Sequence, residues 1–261
     1  MKRFTLFFVF LAALMINGID AMAQQQSYPE DMLNFDSPYC THVKHKGATP
    51  SIVDFVTSII NDENMLMDSG DFIDAWSHYL RHEKQEPGTE IVVDKKSGYV
   101  CMTSVFTDDS DETTREVKSI YEMCYWNCAD GKHKLFAVNF NGMENGRYYE
   151  GQTTGLGLYI YDNARRLMTD VIEESLGIDV ENGIDQSYGK DDVDGLYHVL
   201  DHETREPVAL NDEEFDRWLE ERPVVTYWLP RKGKDIVAEI HYATKTDTVR
   251  LVWDGMRFNR Q

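Results

Sequence analysis

Cys124 to Phe140 reads CYWNCADGKHKLFAVNF. An aromatic run with two cysteines meets the polar turn ADGK, and an apolar run follows it. Cysteines and a histidine beside a turn invite a reactive or metal-binding reading. The alternation of aromatic and β-branched residues on both sides of a turn is also the pattern of a β-hairpin. The same pattern returns 102 positions later without a gap, as Thr226 to Tyr242, TYWLPRKGKDIVAEIHY. Tyr125, Trp126, Gly131 and Lys132 meet Tyr227, Trp228, Gly233 and Lys234. Farther on, LYIYDNARR resembles VRLVWDGMR, with Tyr161-Asp162 over Trp253-Asp254. We read two copies of a three-stranded meander, at 118–168 and 222–258, each ending in an aromatic-Asp turn.

Alternation assigns faces. In the second copy Ile236, Ala238, Ile240 and Tyr242 alternate, as do Val249, Leu251 and Trp253. Val224, Thr226 and Trp228 share one face, and Trp228 and Trp253 are expected in the core. The match then puts Cys124, Trp126, Phe136, Val138 and Phe140 on one core face of the first copy.

Upstream, the period is helical. Thr49-Pro50-Ser51 opens a helix with Ile52, Val53, Phe55, Val56, Ile59 and Ile60 as its apolar stripe. A second helix is expected from Asp71 to Gln85, on Phe72, Ile73, Trp76, Tyr79 and Leu80, ended by Pro87-Gly88. EIVVDKKSGYVCMTSVF, from Glu90, reads as two strands about a Lys-Ser-Gly turn. Residues 168–195 are polar and read as a long loop with one short helix. Phe215, Trp218 and Leu219 mark a short acidic helix stopped by Pro223.

The first residues set the expected compartment. Lys2-Arg3, the apolar run Phe4 to Ile16 and the small-x-small Ala21-Met22-Ala23 form a signal peptide at 1–23. The run is too short for a membrane span. Residues 24–48 read as an irregular arm, and 49–261 as a single α+β domain with its helical part at 49–88. With 26 basic and 46 acidic residues the chain carries a net charge of -20. That surface repels nucleic-acid phosphates and anionic lipid, which leaves a protein or glycan as the expected partner and no membrane insertion after cleavage.

Four side-chain groups invite chemistry. Asp71, Asp74, His78 and His82 share one face of the second helix, where two imidazoles one turn apart could hold zinc. HYLRHE is not the HExxH of metalloproteases, because Tyr79 stands where Glu is needed. His198 and His202 share the spacing but fall in a strand. Asp192, Asp194 and Asp201 match parts of a calcium loop, with Lys190 in place of its first acid. Tyr159 and Tyr161 could present flat rings to a sugar, or lie under the helices. Among the four cysteines, Cys124 and Cys128 stand ~13 Å apart along a strand, too far to bond. Folding the chain about the acidic loop TDDSDETTRE brings Cys101 opposite or nearly opposite Cys124, so this pair is expected to be bonded or adjacent. Cys40 could then reach Cys128 if the arm crosses near Ala129–Lys132. No nucleophile elbow, phosphate loop or dinucleotide fingerprint is present.

With YWNCADGKHKLFAVN, YDNARR and LPRKGKDIVAEI in view, the chain resembles uncharacterised exported proteins of gut Bacteroidales. The resemblance implies an exported, sheet-rich protein and brings no catalytic residues. The expected fold is α+β, with N-terminal helices packed on repeated antiparallel meanders that form a sandwich or stack as propeller-like blades. The expected function is a non-enzymatic exported binding module without a cofactor; the alternative is a metal-dependent hydrolase or metal-binding protein on the Asp71/Asp74/His78/His82 face.

Overall fold

A computed structural model describes residues 28, 33–36, 40–61, 70–109, 114–148, 155–171, 173–178, 180, 190–191 and 194–261. The expected signal peptide and Asp192 lie outside these residues. The fold is mixed α+β with antiparallel sheets. The large sheet contains β1 (Thr41–His42), β2 (Thr89–Asp94), β3 (Tyr99–Asp108), β4 (Arg115–Asn127), β5 (His133–Glu144), β6 (Arg147–Tyr148), β7 (Gly157–Asp162) and β8 (Leu167–Asp170). Its order is β1-β8-β7-β5-β4-β3-β2, with β6 on the end of β5. The small sheet is β11 (Val224–Trp228), β12 (Ile236–His241), β13 (Thr246–Trp253) and β14 (Phe258–Arg260), in that order. Between them in sequence come the hairpin β9 (Tyr197–Leu200) and β10 (Pro207–Leu210) and the helix α3 (Asp212–Glu220).

The large sheet is covered on both faces. Trp126, Leu135, Ala137, Leu158 and Ile160 pack against Tyr227, Ile236, Ala238, Leu251 and Trp253 of the small sheet. On the opposite face, Met102, Met123, Phe136 and Tyr161 meet α1 (Ile52–Ile60) and α2 (Gly70–Arg81). Phe55 stacks on Phe136 at 5.1 Å and meets Tyr161 edge-on at 5.2 Å. Each fully buried apolar side chain of this kind contributes roughly 1.5–3 kcal/mol. Ser51 caps α1: its hydroxyl accepts the Asp54 amide while the Asp54 carboxylate accepts the Ser51 amide.

Double coverage corrects the assigned faces. Cys124 and Trp126 face the small sheet, whereas Phe136 and Val138 face the helices. Phe140 lies with them, 4.7 Å from the ring of Tyr121. A strand buried on both sides is apolar on both sides, so alternation alone cannot name its core face. Trp228 is likewise not in the core. Tyr227 pairs with Ala238 and turns inward, and Trp228 pairs with Val237 on the outer face, its indole N–H donating to Glu239 at 3.0 Å. Trp253 does lie in the core.

Polar contacts fix how the two sheets sit. The side-chain amides of Asn139 and Asn141 both donate to the Tyr227 carbonyl, at 2.6 and 2.8 Å. The Trp126 indole donates to the Lys234 carbonyl at 2.8 Å. Buried Glu122 accepts from the Tyr99 hydroxyl at 2.5 Å and from the Leu229 amide at 3.1 Å.

Three further expectations change. The N-terminal arm is tied down: Thr41 and His42 pair with Met168 and Leu167, and Tyr28 and Val43 are buried. The polar stretch after Leu167 supplies β8, a 3-10 turn (Glu173–Leu176) and the core residues Leu176, Ile178 and Val180. All four cysteines are free thiols. Cys101 pairs with Glu122 and Cys124 with Tyr99, so the expected Cys101–Cys124 neighbours are two register positions apart and unbonded.

Candidate functional site

The second helix stops earlier than its apolar stripe implies. Arg81 is its last residue, and His82 takes a left-handed conformation with φ 56. The Glu83 amide returns to the His78 carbonyl at 2.9 Å, and the chain doubles back along the helix. Gln85 then anchors this return, donating its side-chain N–H to the Ala75 carbonyl at 3.1 Å. Gly88 closes the far side, its carbonyl accepting the Val105 amide at 3.0 Å. Its φ is 83, and a Cβ there would stand 2.2 Å from the Val105 oxygen, so glycine alone fits.

Between α2, this return and β3 lies a cleft of about 280 Å³. Asp71 and Asp74 line it from the first turns of the helix, Glu86 from beyond its end. All three carboxylates are exposed, and none has a hydrogen-bond or ion-pair partner among the described residues. Ser104 lines the cleft while only 6% exposed, and its hydroxyl has no hydrogen-bond partner among the described residues. Phe106, two positions along the same face of β3, presents its ring to the cleft at 44% exposure. His78 completes the helix wall; its Nε2 stands 3.9 Å from Glu83, and its Nδ1 is buried without a partner, as is Oε1 of Gln85. Among the described residues the lining contains no lysine or arginine.

Of the expected metal set, Asp71, Asp74 and His78 therefore share the cleft and His82 does not. His82 left the helical face when the backbone turned left-handed, which corrects the four-ligand reading. The set does not converge to ligating distance. Among the described residues only Asp191, Asp194 and His198 bring ligand atoms within 4.8 Å of one another, and all three are exposed. Asp194 is already used there, accepting from the Leu196 amide and bonding His198 Nε2 at 2.8 Å. The calcium reading of Asp192, Asp194 and Asp201 is corrected at its last member. Asp201 opens the β9–β10 turn, its carboxylate accepting the Glu203 and Thr204 amides.

Tyr159 and Tyr161 are not an open platform. Tyr161 is fully buried under α1, with its hydroxyl 3.0 Å from His45 Nε2, and Tyr159 is half-buried beside Phe136. The thiols are unlike nucleophiles. Burial pushes Cys128 up to about 12 and Cys124 well above its ordinary value, whereas a reactive thiol needs the reverse. Near Cys128, the His133 ring is gripped by Asp130 at 2.6 Å and faces Asp162 at 3.7 Å. Burial raises Asp130, but the bonds from His133 and from the Lys132 and His133 amides outweigh it and hold the carboxyl below its usual range. This grouping ties the β4–β5 turn to the end of β7.

Gln85, Glu86, Ser104 and Phe106 come from separate elements and carry no shared spacing, so the sequence does not mark them as one set. The one available signal was Phe106, a large apolar residue at a strand end beside the acidic loop. No known family model, curated protein or solved structure matches the chain.

Proposed function

We propose that this chain is an exported, non-enzymatic binding module whose ligand occupies the cleft between α2 and β3. The observation that carries the reading is the uncommitted chemistry of that cleft: three exposed carboxylates and the hydroxyl of buried Ser104, without partners among the described residues, beside an exposed aromatic ring. Buried polar atoms are normally hydrogen-bonded, so His78 Nδ1 and Gln85 Oε1 in this lining call for a partner that none of the described residues supplies. Export rests on the basic, apolar and small-residue order of residues 1–23. A binding rather than catalytic role is supported by the thiols' raised pKa values and by the absence, among the described residues, of a nucleophile joined to His78. The metal-dependent alternative loses its support with His82.

The test has two parts. N-terminal sequencing of the exported protein should begin at Gln24; a chain starting at Met1 would refute export. Ser104→Leu fills the cleft floor at a position facing α2. It should abolish small-molecule binding while thermal unfolding shows the protein still folded; unchanged binding would remove the cleft from the reading.

The two meanders at 118–168 and 222–258 also support reading them as copies of one unit. Trp126 pairs with Leu135 and Trp228 with Val237, at the same 102-residue offset. Counted from the Cys128 N–H to His133 bond and from the Tyr242 N–H to Lys245 bond, both pairs fall in the same hydrogen-bonding phase. Each tryptophan then occupies the same side of its own meander. The copies are stacked front to back, so one tryptophan is covered and the other is not.

A further inference from the structure

We infer that the cleft is built for a primary alkylammonium group, the chemistry shared by linear diamines and the lysine side chain. The inference rests on the proposed binding role of the cleft and names its ligand class.

Besides His78, Thr89 and Gln85, whose side-chain N–H is taken by the Ala75 carbonyl, the polar groups in the cleft are three acids and a serine. Asp71, Asp74 and Glu86 are acceptors only, and Ser104 has lone pairs free. Among the described residues no lysine or arginine lines the cleft beside these carboxylates, in a chain of net charge -20. An anionic ligand would meet repulsion from three carboxylates. A neutral polyol would leave the charges uncompensated. An ammonium supplies three donors and the missing charge together.

The apolar groups fix what the ammonium is attached to. Ala75 and the ring of Phe106 share the cleft with the acids. Phe106 is one of three large apolar side chains left exposed among the described residues, at 44%. A ring face beside carboxylates holds a cation by its quadrupole and an alkyl chain by contact. The volume of about 280 Å³ is at the lower end of small-molecule sites, so an alkyl chain of a few carbons fits and a bulky ligand does not. Asp71 and Asp74 belong to the first turns of α2 and Glu86 to the returning segment that Gln85 anchors beside Ala75, so carboxylates reach the cleft from two of its walls. A second ammonium on the same chain would have its own partner.

The test is a titration of the isotopically labelled full-length mature protein, followed by amide shifts, with four probes. They are 1,5-diaminopentane, the peptide acetyl-Ala-Lys-Ala-amide, 1,5-pentanediol and glutarate. The expected result is saturable shifts at Asp74, His78, Ser104 and Phe106 with the diamine or the lysine peptide, and none with glutarate. The stronger of the two amines identifies the source as a free diamine or a protein side chain. Asp74→Asn should weaken that binding roughly ten-fold, the loss expected for one charge-assisted hydrogen bond. Because Asp74 is exposed and its side chain makes no bond among the described residues, the variant should keep the wild-type unfolding curve. Equal binding of pentanediol and diaminopentane at these residues overturns the ammonium inference and leaves the cleft as a binding site. Amine shifts unaffected by Asp74→Asn overturn the inference as well. Shifts elsewhere, or none with any probe, overturn both.

Discussion

Glu122 stands between two apolar layers and is held by donors from three elements: Tyr99 on β3, Asn139 on β5 and the Leu229 amide after β11. Burial pushes its carboxyl above the ordinary glutamate value, against the lowering effect of those bonds. The folded state therefore holds a proton more tightly than the unfolded chain. That contribution to stability is complete below the ordinary glutamate value and is lost as pH rises through the raised one. Glu122→Gln should remove this part of the pH dependence. Its single carbonyl cannot accept every donor, so it should also cost about 1–3 kcal/mol. Urea unfolding across pH 4 to 8, of both proteins, checks the two effects; a variant that keeps the wild-type slope contradicts the assignment. The two aligned tryptophans give a second residue-level prediction. Trp126→Ala should cost roughly 3–5 kcal/mol, the range for a large aromatic in a packed core. Trp228→Ala on the outer face should cost about 1 kcal/mol or less. Equal losses in denaturant would contradict the faces described.

At the scale of elements, the hairpin written in CYWNCADGKHKLFAVNF was legible, as were β2 and β3 about their turn. The helix start at Ser51 was legible because a capping residue announces it. Which face of β4 or β5 is inward was not, since it depends on layers contributed by distant parts of the chain on both sides. The early stop of α2 was illegible for a local reason: a histidine took the left-handed position that glycine or asparagine usually marks. The cleft followed from that stop, so it was hidden too. The hairpin β9–β10 and α3 form a third, small cluster around Val199, Phe215 and Trp218, apart from both large cores. Tyr197 stacks on Phe215 at 3.7 Å and His202 on Trp218 at 4.2 Å. So few buried side chains should open below the global unfolding free energy. Phe215→Ala should speed amide exchange throughout Tyr197–Glu220 while β4 and β5 keep their protection. A uniform change across the molecule would show that this cluster is not an independent unit.

At the scale of the whole molecule, the architecture is helices on a sheet on a second sheet, without covalent cross-links. No helix among the described residues is long and apolar enough to cross a membrane. Sequence could not decide between sandwich and blades because pairing is local and stacking is not. The cysteines misled for a related reason: the acidic loop fixed that β3 and β4 pair, but not at which residue. Four thiols should react per chain in denaturant without prior reduction. In native buffer Cys124 and Cys128 should react far more slowly than Cys40, because both are buried. Non-reducing peptide mapping that finds a Cys101–Cys124 bridge would contradict the register in which Cys101 faces Glu122.

The pair of asparagines that reach the Tyr227 carbonyl has a consequence for how this sequence can drift. Leucine, isoleucine and valine between the two sheets slide past one another at small cost, so each can be exchanged for its neighbours in kind. Asn139 and Asn141 act as pegs: they define one seating of the small sheet, and an aliphatic residue at either place would leave a carbonyl short of a donor. Tolerance to substitution across this interface should therefore run opposite to hydrophobicity, with the oily positions permissive and the two amides nearly fixed.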